Sequence, residues 1–199
     1  MNNPVMPWMW ALCLVALLAG CSSSPRSNYY VLTAKHGTAP TGAEHSLGIG
    51  PIVIPEYLNR SNMVYNRQGN QLQVADLDSW AEPLGEGVKR VMAINLAQLL
   101  NTHEVRYFPW HPKRAPDYGV QLNVLALDAN EQQATLATEW LVYRTTDAGP
   151  IVRRISQLHQ PMPAGELKPG DIASAYSALL LQLSELIANV IIADADEVH

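Results

Sequence analysis

"WAEPLGEGVKRVMAINLAQLLN", residues 80–101, is the stretch on which the fold turns. Leu84, Val88, Val91, Met92, Leu96, Leu99 and Leu100 recur three and four residues apart, the period of a helix with one apolar face. Pro83 suits the first turn, where a missing N–H costs little. Glu82 and Glu86 lie near the start and complement the helix dipole, while Gly85 and Gly87 weaken that turn. The apolar stripe needs a surface to cover, and the flanking segments supply strands. Upstream, Tyr29-Tyr30-Val31-Leu32 reads as a strand, and 33–46 has the Gly, Thr, Ala, Pro and His content of a loop. In "LGIGPIVIPEYLNR", 47–60, prolines at 51 and 55 bound a β-branched run and predict an edge position or short pairing. "MVYNRQGNQLQVAD", 63–76, offers two strand-like runs around Gln68-Gly69-Asn70, the composition of a tight hairpin.

Downstream, "HEVRYFPWHPKRAPDYG", 103–119, passes from a short strand into a Pro-rich loop. The runs Tyr118 to Leu127, Gln133 to Arg144 and Ile151 to Gln160 predict an antiparallel meander. Leu122, Val124 and Ala126 share one side of the first run, and Leu136, Thr138, Trp140 and Val142 one side of the second. The third run, with Arg153 and Arg154 adjacent, alternates poorly and reads as more exposed. "PAGELKPGD", 163–171, breaks the chain. From Asp171, a plausible N-cap, Ile172, Tyr176, Leu179, Leu180, Leu183, Ile187 and Val190 describe a second amphipathic helix. The expectation is an α+β fold: a single domain with a largely antiparallel sheet and two main amphipathic helices packed on it.

The N-terminus raises a different question. Val5 to Gly20 is uncharged and spans 16 residues, short of the roughly 20 needed to cross a bilayer, so a cleaved export signal fits better than a span. Leu18-Ala19-Gly20-Cys21 resembles the lipobox of bacterial lipoproteins, in which the cysteine is acylated, with palmitate among the chains, and becomes the first residue of the mature protein. A short buried helix or an uncleaved anchor are the alternatives. The boundaries are then 1–20 signal peptide, 21–28 lipidated tether, 29–193 folded domain and 194–199 polar tail. Of the 2 cysteines, Cys13 leaves with the signal and Cys21 carries lipid, which removes disulfide, thiolate and cysteine–metal chemistry. Ser22 rather than Asp after the cysteine is, by the same resemblance, the signal for transport to the outer membrane.

Removing 20 of the 199 residues leaves 179, the size of one compact domain. At 48% hydrophobic and 16% charged the chain has the balance of a folded protein rather than a disordered one. Thirteen basic against 18 acidic residues give a net charge of -5, which speaks against nucleic acid as a partner.

The early Tyr-Tyr-x-Leu at 29–32, Pro55-x-Tyr57-Leu58, Trp80-Ala81-x-Pro83-Leu84, Asn95-Leu96 with Leu99-Leu100, and Glu139-Trp140-Leu141 together resemble the PqiC-type family of ABC-type transport auxiliary lipoproteins. The order and spacing of these pieces run over most of the mature chain. The resemblance implies a non-enzymatic, outer-membrane-anchored lipoprotein facing the periplasm. It would be the accessory docking subunit of a trans-envelope lipid transport and membrane-integrity system, with an MCE-domain protein and an inner-membrane transport component as partners. Self-association, into a ring, is implied as well. The alternative is a lipoprotein that itself carries lipid in an apolar groove between helix and sheet.

Among individual residues, Trp80 reads either as a partner contact or as a core anchor at the strand-to-helix turn, and the core reading is favoured. Tyr57 and Leu58 read as a protruding lip for subunit contact or as packing on the sheet. Trp110, in the aromatic and basic run 107–114, suits a headgroup or partner surface or a solvated connection. His36, His45, His103, His111, His159 and His199 have no ligand spacing, and no metal or cofactor is expected. Gly48-Ile49-Gly50 is followed by Pro51 inside a strand-like run, so it lacks the helix a phosphate cradle needs. No G-x-S-x-G elbow or P-loop is present, and no catalytic residue is assigned.

Overall fold

A computed structural model describes residues 26–68, 70–146 and 149–198. The signal at 1–20, Cys21 and Gly69 at the expected hairpin tip lie outside the described residues. In chain order the elements are β1 (Asn28–Tyr30), β2 (Leu47–Val53), β3 (Asn62–Gln68), β4 (Gln71–Trp80), α1 (Leu84–Leu99), β5 (Val105–Tyr107), β6 (Tyr118–Ala129), β7 (Gln133–Arg144), β8 (Pro150–Pro161) and α2 (Pro169–Val198). Short 3-10 turns occupy Glu56–Leu58 and Pro112–Arg114.

The architecture is α+β with two sheets, both mixed. The larger runs β5-β2-β6-β7-β8, the smaller β1-β4-β3. The expected meander is β6-β7-β8, antiparallel throughout, but β2 pairs in parallel with both β5 and β6, and β1 in parallel with β4. β2 is therefore an internal strand, not an edge. Its proline is accommodated because β5 pairs only with Leu47 to Ile49 and the register to β6 shifts between Ile49 and Ile52. Pro51 thus falls at the irregularity, past the end of β5, where a residue lacking N–H is tolerated.

The two helices pack on each other and on one face of the large sheet, α1 over β2 and α2 over β7 and β8. Val88, Val91, Met92 and Leu96 of α1 meet Leu179, Leu183 and Ile187 of α2 in one buried cluster with Val120, Leu122, Leu136, Trp140 and Val142 of the sheet. Leu99 stays exposed and Leu100 half-buried. β7 keeps the expected alternation without interruption. β6 does not: its register to β7 shifts between Val124 and Ala126, so Leu127 and Ala129, not Ala126, continue the buried row. β8 is the exposed edge, as its poor alternation predicts, and its arginines discourage further strand pairing there.

α2 begins at Pro169, with Asp171 in its first turn rather than at the cap. By length and composition it could cross a membrane, but Ile172, Tyr176, Leu179, Leu180, Leu183, Ile187 and Ile191 line the core, while Leu186 is exposed. The segment from 194 continues the helix to Val198. Asp194, largely buried there, accepts from the Tyr118 hydroxyl at 3.1 Å and takes a two-point ion pair from Arg144, at 2.8 Å to each oxygen. That clamp fastens the end of α2 to the sheet.

Pro83 is the N-cap of α1 rather than part of its first turn. Glu82 pairs with Arg90, which also donates to the Leu32 carbonyl at 2.8 Å. Residues 31–42 run as a strap bound by side chains of α2, α1 and the turn that follows α1. The N–H groups of Thr33, Lys35 and Thr41 donate to Ser177 Oγ, Asn95 Oδ1 and Asn101 Oδ1, at 3.0, 3.0 and 3.1 Å. A segment that composition marks as loop thus finds partners for its amides without a strand ladder.

Candidate functional site

With both helices on one face, the other face of the large sheet is left for something else. Alternation sends Gly48 of β2, Gly119 and Gln121 of β6, Tyr143, Leu141 and Glu139 of β7, and Arg153 and Ile155 of β8 to that side. Gly48 and Gly119 are register partners, and Gly119 is in turn opposite Tyr143. Two neighbouring glycines make a hollow in the sheet, and aromatic rings lie on both. A methyl on Gly48 would come within 2.7 Å of Cζ3 and Cη2 of Trp110 and within 2.5 Å of Pro116 Cγ; one on Gly119 would come within 2.6 Å of the Tyr143 hydroxyl. Glycine is required at both positions because another chain segment approaches the backbone closely. Tyr143 over Gly119 is a cross-strand aromatic covering a glycine.

Trp110 is placed by the loop that follows β5. Phe108 meets it edge-on at 5.5 Å. Arg106 donates to the carbonyls of Arg114 and Ala115 at 2.9 and 3.0 Å, and His111 Nδ1 accepts from Lys113 N–H at 3.1 Å. At the loop's end the Asp117 carboxylate accepts from the Ser46 N–H and hydroxyl, both at 2.7 Å. Burial works to raise the Asp117 pKa, but these two bonds, with His45 and Arg106 nearby, bring it below its ordinary value. The Thr145 hydroxyl closes the frame on the Pro116 carbonyl.

Between loop and sheet lies an open groove of about 720 Å³, walled by Trp110, Tyr143, Pro112 and Pro150 over Leu141, with Arg153 at its rim. It continues along Gln121, Leu141 and Arg153 into a smaller hollow lined by Pro51, Val53 and Asn123. Arg153 leans on Glu139 at 3.5 Å. Phe108 and Val53 are about half exposed, and Ile155 is 71% exposed. The face therefore offers aromatic and aliphatic surface together with the Arg153–Glu139 ion pair, a composition suited to recognition of an apolar partner.

The residues singled out from sequence are dispersed. Trp80 is buried and stacks on Tyr176 at 6.2 Å, far into the core reading. Leu58 is buried, and Tyr57, half-buried beside it, bonds Asp128 at 3.4 Å. Burial, then the Asp128 charge, raises the Tyr57 pKa, and burial raises that of Asp128. Only Trp110 lies on the open face. Tyr143 and Gly119 do not stand out in the sequence, and Leu141 and Gly48 enter only within the Glu139-Trp140-Leu141 and Gly48-Ile49-Gly50 runs, although a glycine inside each of two strand runs is itself a sign of close approach. The described histidines act locally: His45 packs edge-on against Tyr118 and His159 bonds Thr135 at 3.1 Å.

A family model described as the ABC-type transport auxiliary lipoprotein component matches residues 30–188. Intermembrane transport lipoprotein PqiC of Escherichia coli strain K12 is 31% identical over 96 residues, covering 46% of this chain and 51% of that protein, and PqiC of Shigella flexneri matches equally. The chain thus spans about half the length of these relatives. Two crystal structures share the fold at a TM-score of 0.69: an uncharacterized protein, 18% identical over 84% of this chain and 99% of its own, and a Xanthomonas campestris protein, 15% identical over 87% and 100%.

Proposed function

The chain belongs to the family of ABC-type transport auxiliary lipoproteins, and from that premise we propose that it is the docking subunit of an MCE-type lipid transport system, anchored in the outer membrane and facing the periplasm. Acylated Cys21 holds the domain at the bilayer. The helix-free sheet face receives an MCE-domain protein reaching across from an inner-membrane transport component, and copies of the chain associate side by side around it. Catalysis and energy coupling belong to the other subunits. The observation that carries this reading is the glycine-floored groove of Trp110 and Tyr143: a rigid apolar surface, built on strands, left uncovered by the protein's own helices.

The groove's volume also favours a second reading, in which the protein itself carries lipid. The helix–sheet interface expected to hold that lipid is filled by Leu96, Leu127, Leu136 and Leu179, so the lipid would lie on the opposite face. Purification after crosslinking in cells separates the two. Recovery of an MCE-domain protein that is lost with Trp110→Ala supports docking. Stoichiometric lipid on the isolated protein, without partner, supports a carrier and overturns docking as the main role.

A further inference from the structure

The small sheet ends the described chain on its N-terminal side with apolar groups facing water. Tyr29 is 70% exposed, Val31 48% and Leu77 36%. In register, Tyr29 lies beside Ser79, and Val31, just past the end of β1, is exposed between Tyr30 and the buried Leu32; Leu77 falls where the β3–β4 register shifts and is exposed next to the inward-turned Asp78. Their neighbours are held elsewhere: Tyr30 turns inward and its hydroxyl donates to Asp78 at 2.9 Å, where Asn28 also donates at 3.0 Å. Of the two carboxylates that flank Leu77, Asp78 is thus engaged by two donors, while Asp76 is exposed on the same strand. The result is a small surface of one tyrosine and two aliphatic side chains, the amphipathic composition that settles at a membrane–water boundary.

What covers it follows from the chain outside the structure. Only 7 residue steps separate Cys21 from Asn28, at most about 24 Å if fully extended and on average about 15 Å for a flexible linker. Resting on the proposed acylation of Cys21, we infer that Tyr29, Val31 and Leu77 lie against the bilayer surface and set the orientation of the domain on it. The tether confines this patch to the immediate neighbourhood of the headgroups, so a weak contact is populated through effective concentration. The Trp110 face belongs to the other sheet and stays free for a partner in water.

The test uses the full-length lipidated protein in phosphatidylethanolamine–phosphatidylglycerol vesicles. With Cys21 acylated and Cys13 removed with the signal, Tyr29→Cys introduces a unique thiol for an environment-sensitive fluorophore; Val31→Cys is the second reporter and Phe108→Cys the aqueous control. Flotation with the vesicles is scored first. The expected result is flotation, a blue shift at 29 and 31, and loss of their fluorescence when lipids carry a quencher, with position 108 unchanged. Flotation with 29 and 31 quenched no more than 108 overturns the patch and leaves the anchor standing. Failure to float overturns the anchor and the inference with it. A blue shift at 29 and 31 on vesicles that the lipid-borne quencher leaves undiminished assigns the patch to a second copy of the chain and likewise overturns it.

Discussion

Replacing Gly48 by alanine adds one methyl group to the floor of the groove, and the structure says what it meets. Gly48 is not in the left-handed region, so alanine imposes no backbone strain, and the whole effect is steric. Ordinary contact begins near 3.4 Å, so Pro116 Cγ has to withdraw by about 0.9 Å and the Trp110 ring by about 0.7 Å at once. Pro116 is buried and Trp110 is braced by Phe108, so neither yields freely. Overpacking of this kind costs about 1–3 kcal/mol, offset by about 0.4–1 kcal/mol from the stiffer unfolded chain. A net loss of about 1–2 kcal/mol lowers Tm by about 2–8 °C for a domain of this size. Urea denaturation followed by circular dichroism measures it. Gly85→Ala is the control: its methyl would stand 3.7 Å from Ile54, and in a helix the change is neutral or stabilising by up to about 1 kcal/mol. In a Trp110→Ala background the Gly48→Ala penalty should shrink to the part owed to Pro116. An undiminished penalty there refutes the claim that the two glycines exist to seat the aromatic rings.

Other parts of the fold make separate predictions. Asp194→Asn removes the charge that holds Arg144 and weakens the Tyr118 bond, so hydrogen exchange should accelerate in the last turns of α2, Ile187 to Glu197, and the unfolding midpoint should fall; unchanged exchange there removes the clamp from the account. Asn95→Ala deletes the acceptor of the Lys35 N–H at a cost of about 1 kcal/mol. Exchange at Lys35 should rise more than at Thr33, which Ser177 holds independently. The carboxylates at the two ends of β6 should respond oppositely to pH. Asp117, depressed in the fold, contributes stability above the ordinary carboxylate range that is lost as pH falls, so Asp117→Asn destabilises at neutral pH and its penalty fades in acid. Asp128, raised by burial, contributes stability only in acid, which is lost as pH rises through its folded value, so Asp128→Asn should stabilise at neutral pH and do little at low pH. Denaturation curves from pH 3 to 7 decide both signs.

Periodicity located α1, α2 and the meander because each buries one face along its whole length, and in β7 the alternation runs unbroken through Leu136, Thr138, Trp140 and Val142. Pairing partners were harder to read. Pro51 and Pro55 suggested an edge or short pairing; the pairing to β5 is indeed short, and β2 is internal because the three residues of β5 leave Pro51 beyond their reach. Ala126 was placed inward because a bulge changes the phase of a strand without leaving a compositional mark. The groove was legible only in fragments. Trp110 stood out as an aromatic in a basic loop, but its seat depends on Gly48 and Gly119, 71 residues apart in the chain, becoming neighbours through a parallel pairing that local pattern does not specify. Trp80 drew attention for the same chemical reason and proved to be core, since a tryptophan at a strand-to-helix junction fills space between layers as readily as it greets a partner.

The central claim is that the helix-free sheet face is the surface that meets the partner. A photo-crosslinking amino acid placed in cells at Leu141 or Ile155 on that face, and at Asn189 on the outward side of α2, tests it most directly. Adducts with an MCE-domain protein from 141 and 155 but not from 189 are the predicted result; adducts from 189 alone contradict the account.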